Sequence, residues 1–247
     1  MTAAFDSTLG SIWRIDCGRL PPAAIEAGLV LVPADERERR RRRQDPARSL
    51  QWLGLRVALR SLLAVEIGRE RASAPFVTDP SGRPSIAGGP HFSIADCGPL
   101  ALIAIADGAV GVDLEAVRPV RIADWRRAAL EARAMALTGG RALPADPDER
   151  FIQAWTRLEA IAKATGRGLG RTIGRLESAG RTPSGGAAAT SDATESSWPA
   201  VRDLEPWRGH RAAIAGGARV LATIGAAREL RPGQLAAMTA WIERTSR

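Results

Sequence analysis

Apolar and polar positions along the chain repeat with two different periods, and each period predicts an element. Ser11 to Asp16 and the β-branched Leu29 to Val32 read as short strands. Pro33 with Asp35 opens a helix, because Pro suits a first turn and an acid suits its positive end. Asp45-Pro46 restarts the chain into a long amphipathic helix, Ala47 to Gly68, with Leu50, Leu53, Val57, Leu59, Leu62 and Leu63 on its apolar side. Asp79 to Gly82 is a turn. His91 to Ala95 and Leu100 to Ala106 read as strands around Asp96 to Pro99, and Val110 to Ala116 as another. Helices are predicted at Ile122 to Leu137 and Asp148 to Thr165, the second stopped at Gly166. Trp198 to Leu204, His210 to Ala215 and Arg219 to Ile224 read as strands, and a last helix follows Pro232.

The order strand, helices, strands therefore occurs twice. It predicts an α/β (α+β) fold of two similar halves, residues 1–110 and 111–247, joined near Asp107 to Gly111. Residues 178–197 are almost entirely Ser, Thr, Gly, Ala, Asp and Pro, which predicts a flexible surface loop.

Composition narrows the classes. The 247 residues are 45% apolar and 25% charged, a globular mixture with ample length for a core. No apolar run approaches the roughly 20 residues of a membrane span, and no basic start precedes an apolar segment as in a secretory signal. Cys17 and Cys97 lack metal-site or disulfide spacing, so a reducing cytoplasm is the expected compartment. The formal charge of +8 favours an anionic partner. All but one of the 35 basic residues are Arg, and the exception is Lys163. Tyr is absent, so proton chemistry falls to carboxylates, two His, two Cys or that Lys. Cys97 has no nearby His to activate it, His91 reads as structural, and Trp125, Trp207 and Trp241 as core or interface aromatics.

Two segments carry chemistry. In Gly111-Val112-Asp113-Leu114-Glu115 the acids alternate with apolar residues, so a strand sets both on one face. Like charges so placed need a hard cation or several Arg, and Mg²⁺ takes oxygen ligands while sharing its site with phosphates. The plain alternative is a solvent-facing strand. In Trp155 to Gly166, Glu159 and Lys163 stand four apart on one helix face, as a surface pair would. In a chain that otherwise uses Arg, a Lys fits a place needing a compact charge, such as a phosphate oxygen.

Together these segments resemble the Sfp-type 4'-phosphopantetheinyl transferases. Gly82-Arg83-Pro84, His91-Phe92-Ser93-Ile94, the strand at 111–115, Trp155 to Leu169 and Gly209 to Ala215 carry the resemblance, which holds from about Asp35 to Ile224. It implies coenzyme A bound in a cleft between the two halves. The arm would pass from coenzyme A to a Ser of an acyl or peptidyl carrier protein, with Mg²⁺ as cofactor and 3',5'-ADP released. Asp113, Glu115 and Glu159 would hold the metal, Glu159 or a water would take the Ser proton, and Lys163 would contact a phosphate. Asp96 stands where the family has a phosphate-binding His, Gln51 where an Arg is common, Leu158 where a Lys is usual, and Arg83 keeps a Lys's charge. Arg48, Arg56 and the run Arg39 to Arg43 are then candidate substitutes for lost phosphate contacts. A carboxylate at Asp96 would repel a 3'-phosphate, which admits dephospho-coenzyme A or another nucleotide. A transferase fold that binds nucleotide or carrier without turnover is the alternative. Nucleic-acid binding through Arg39 to Arg43 lacks interleaved aromatics for stacking.

Overall fold

The computed structural model describes residues 5–41, 45–80, 82–173 and 198–244, without the side chains of 39–41. The basic side chains of Arg39 to Arg43 and the expected loop at 178–197 lie outside the described residues.

The first sheet grows from three antiparallel strands, β1 (Ser11–Asp16), β4 (His91–Cys97) and β5 (Leu100–Ala106), with β5 between the other two. The reversal between β4 and β5 uses Gly98 at φ 60°, a left-handed turn that suits a residue without a β-carbon. Between β1 and β4 the chain makes α1 (Pro22–Gly28), α2 (Ala34–Arg41), α3 (Pro46–Ala72) and a small ribbon, β2 (Val77–Thr78) with β3 (Pro84–Ser85). Asp45 caps α3 by accepting from the amides of Ala47 and Arg48. Gly68, at φ 77° and ψ 162°, breaks that helix before its last residues.

The second sheet is β6 (Val110–Ala116), β8 (His210–Gly216) and β7 (Ala200–Leu204), antiparallel in the order β6-β8-β7. It is covered by α5 (Pro147–Thr165), on which α4 (Asp124–Leu137) packs in turn. A short α6 (Ala218–Thr223) leads to β9 (Arg228–Glu229) and α7 (Pro232–Arg244). The chain's end returns to the first half: β9 pairs in parallel with β1, and α7 packs on α1 and α3.

Strand alternation divides the core. Trp13, Ile15, Ile103 and Ile105 face α1, α3 and α7, while Ile12, Leu102 and Ala104 face the second sheet's Val112, Leu114 and Ile214. The two sheets meet edge to edge where the Val112 amide donates to Ser93 Oγ at 3.0 Å. A side chain there takes the place of a ladder bond and leaves no buried amide orphaned.

Two expected strands are helical. Leu29–Leu31 is a 3₁₀ turn continuing α1, because Pro21-Pro22 start a helix and Leu31 must reach the core on its far side. Ala218–Thr223 is α6, and its Val220 and Leu221 pack on the inter-sheet core. Trp125 stands 75% exposed at the start of α4, not in the core. No helix among the described residues is long and apolar enough to cross a membrane.

Candidate functional site

On β6 the odd-numbered residues 111, 113 and 115 point away from the inter-sheet core and toward α5. Gly111 sets how closely that helix approaches. A β-carbon there would collide with the backbone carbonyl of Ala160 and the amide of Ala164, so strand and helix pack backbone to backbone. One turn of α5 is thereby pressed over Asp113, with Glu159 and Lys163 on the near face. We expect Gly111→Ala to cost about 1–3 kcal/mol by overpacking. A fall in the midpoint of thermal unfolding checks this, and an unchanged midpoint would show that the helix stands off the strand.

Asp113 is 7% exposed and is the most deeply set acid of the site. Lys163 Nζ lies 2.8 Å from its Oδ1 and 3.0 Å from the carbonyl of Val112. Its Oδ2 is buried with no hydrogen-bond partner among the described residues. Burial pushes the Asp113 carboxyl above the usual range, Lys163 pulls it back, and Glu115 adds to the rise. Glu159 is also raised, first by burial and then by the Asp113 charge, and no described side chain hydrogen-bonds to it. Glu115 turns to Arg118, 2.9 Å away.

Glu159 and Lys163 border a hollow of about 280 Å³, lined also by Arg83, Phe92, Ile94 and the glycine-rich turn at 166–169; Asp113 and Glu115 stand behind its lining. Arg83 is held at its rim: Nε is 3.4 Å from Asp79, and Nη1 donates to the carbonyl of Ala164 at 3.2 Å. That bond ties the turn of the first half to the end of α5.

Three carboxylates against one ammonium leave a negative cluster, and its donors are all hard oxygens. No group of three or more His, Cys, Asp or Glu side chains among the described residues encloses a cation position. Mg²⁺ does not require one, since it is commonly held by one or two carboxylates, waters and a ligand's phosphates. The orphaned Oδ2 of Asp113 and the unpaired Glu159 fit that role, and Glu115 stands at the edge.

The remaining expected ligands divide. Arg48 and Asp96 border a second hollow of about 390 Å³ with Gln51, Trp52 and Cys17. Arg56 lines neither hollow; it stands over the Trp52 ring and turns to the buried Glu36, 3.9 Å away. Glu36 is shared with Arg60, which is fully buried and also bonds the carbonyls of Ala72 and Ala74. Arg56 and Arg60 thus secure α2 on α3.

The sequence reading missed the support behind the site. Arg157, fully buried on α5, grips Asp203 of β7 through Nε at 2.8 Å and Nη2 at 2.7 Å. The same guanidinium donates to Thr138 and to the carbonyls of Arg141 and Ala142, and Gln153 bonds Asp203 at 3.0 Å. A glycine inside an acid-bearing strand was the signal for the close approach at Gly111.

Comparison with known proteins agrees with this geometry. Residues 109–215, which hold β6, most of β8 and all of α5, match the 4'-phosphopantetheinyl transferase superfamily. A protein of Synechocystis sp. (strain ATCC 27184 / PCC 6803 / Kazusa), named "Putative 4'-phosphopantetheinyl transferase slr0495", is 30% identical over 149 residues. That match takes in 57% of this chain and spans 59% of the relative's length.

Proposed function

We propose that this chain, whose residues 109–215 match the 4'-phosphopantetheinyl transferase superfamily, transfers a phosphopantetheine arm from coenzyme A, or a close nucleotide analogue, to a Ser of a carrier protein. The observation that supports this most is the packing of Glu159 and Lys163 beside Asp113, at the wall of a hollow of about 280 Å³.

In the reaction the Ser Oγ forms a bond to the phosphorus that bears the pantetheine arm. The bond from that phosphorus to the bridging oxygen breaks, and the nucleotide leaves with the electron pair. Asp113 and Glu159, with Glu115 beside them, would hold Mg²⁺, which when bound neutralises charge building on the leaving phosphate. Lys163 is placed to exchange its bond to Asp113 for one to a phosphate oxygen, a compact charge serving an anion that spreads over several oxygens. Glu159, or a water beside it, would accept the Ser proton. Arg83 closes the rim and orients the nucleotide side.

Calorimetry tests the binding half. The reading expects coenzyme A, or its dephospho form, to bind in the presence of Mg²⁺ and to bind at least about tenfold more weakly without it. No Mg²⁺-dependent binding of either would sink the proposal. Mg²⁺-dependent binding without transfer to any carrier would favour a nucleotide-binding relative that has lost turnover.

A further inference from the structure

The transfer reaction leaves the second hollow unassigned, although it borders the same strand as the first. Ile94 lines one and Asp96 the other, and these residues sit two apart on the same face of β4, about 7 Å along the strand. An extended ligand that is seated by its phosphates against Lys163 and follows β4 would reach the second hollow.

The cations thin out along that path. The first hollow presents Lys163 and Arg83 beside Glu159, while the second presents the exposed carboxylate of Asp96, the amide of Gln51 and Arg48. Among the described residues neither Asp96 nor Gln51 makes a side-chain hydrogen bond, so both are open to a ligand. Among the described residues Arg48 is the one cation lining this space. Its side chain is 81% exposed, and its Nε stands 3.5 Å from Asp45, the helix cap, so its charge is already shared. The local field is negative enough to help hold the Cys17 thiol up at about 12, after burial and alongside Asp16. The Trp52 ring adds a flat apolar wall.

A phosphate monoester here would carry nearly two negative charges toward a carboxylate, with, among the described residues, only a shared Arg to offset them. A ribose with free hydroxyls makes the opposite match, because hydroxyls donate to a carboxylate and an amide serves them either way. We infer that the second hollow receives an unphosphorylated nucleoside end, and that Asp96 selects against a 3'-phosphate. Resting on the transferase reading, this makes dephospho-coenzyme A the preferred donor. The Ser Oγ takes the phosphopantetheine phosphorus, the proton passes to Glu159, and the leaving group is AMP, not 3',5'-ADP.

The test is calorimetry of the whole protein with Mg²⁺, titrating coenzyme A and dephospho-coenzyme A into wild type and Asp96→Asn. Wild type is expected to bind the dephospho form about tenfold more tightly. Asp96→Asn removes the charge at an exposed position of β4, and far-ultraviolet circular dichroism checks that it folds. It should strengthen coenzyme A binding and weaken dephospho-coenzyme A binding, bringing the ratio to about one or below. A tenfold preference of wild type for coenzyme A, or a ratio unmoved by Asp96→Asn, overturns the inference and leaves the transferase reading standing. Binding of neither ligand overturns both.

Discussion

Glu159→Gln should slow phosphopantetheine transfer by about 10²–10⁴-fold while making the free protein more resistant to heat. The loss follows from the carboxylate's place beside Asp113 and at the wall of the phosphate hollow, where Gln neither accepts a proton nor offsets a cation. The gain follows from the same geometry. Burial and the charges of Asp113 and Glu115 raise the Glu159 carboxyl above its ordinary range, so folding disfavours its ionised form. No described side chain hydrogen-bonds to it in compensation. Replacing it with a neutral isostere removes that cost, and a rise of about 2 °C in the unfolding midpoint is expected without divalent cations. A residue that served only to fasten α5 would lower the midpoint when replaced. The pairing of lost activity with gained stability marks a site that keeps strain for function.

Asp203→Ala is expected to act in the other direction and more strongly on the fold. Arg157 is fully buried, and Asp203 is the only carboxylate among the described residues that pairs with it. Removing one partner strands a buried guanidinium, which costs about 3–5 kcal/mol. For a chain of this length the unfolding midpoint should fall by about 10 °C. Asp203→Asn, which keeps one acceptor, should fall by less. Because Arg157 lies two residues before Glu159 on α5, the loss should also weaken ligand binding. An Asp203→Ala protein as stable as wild type would show that the carbonyls of Arg141 and Ala142 alone satisfy Arg157.

Local pattern carried the site, and long-range contact carried its support. The alternation of Asp113 and Glu115 with Val112 and Leu114, and the spacing of Glu159 and Lys163, are visible over a few residues; the structure sets them on the facing surfaces of β6 and α5. Their meeting depends on Gly111, which the sequence shows as one more glycine until a helix is laid across it. Arg157 and Asp203 are 46 residues apart, and no periodicity links them. Leu29–Leu31 and Ala218–Thr223 read as strands because β-branched and apolar residues cluster there; tertiary packing makes them helical. Arg56 looked like a phosphate ligand on charge alone, whereas its helix turns it toward Glu36. The second hollow was illegible as a space, since it joins residues of β4, α3 and the turn after β1.

The central claim is that this acid-lined cleft transfers a phosphopantetheine arm to a carrier Ser. Intact-protein mass measurement tests it most directly. An apo carrier protein is incubated with the chain, Mg²⁺ and either coenzyme A or its dephospho form, with Glu159→Ala run alongside. The account predicts that the carrier gains the mass of one arm with wild type and not with Glu159→Ala. A carrier of unchanged mass with both donors, under conditions where the donor binds, would contradict it.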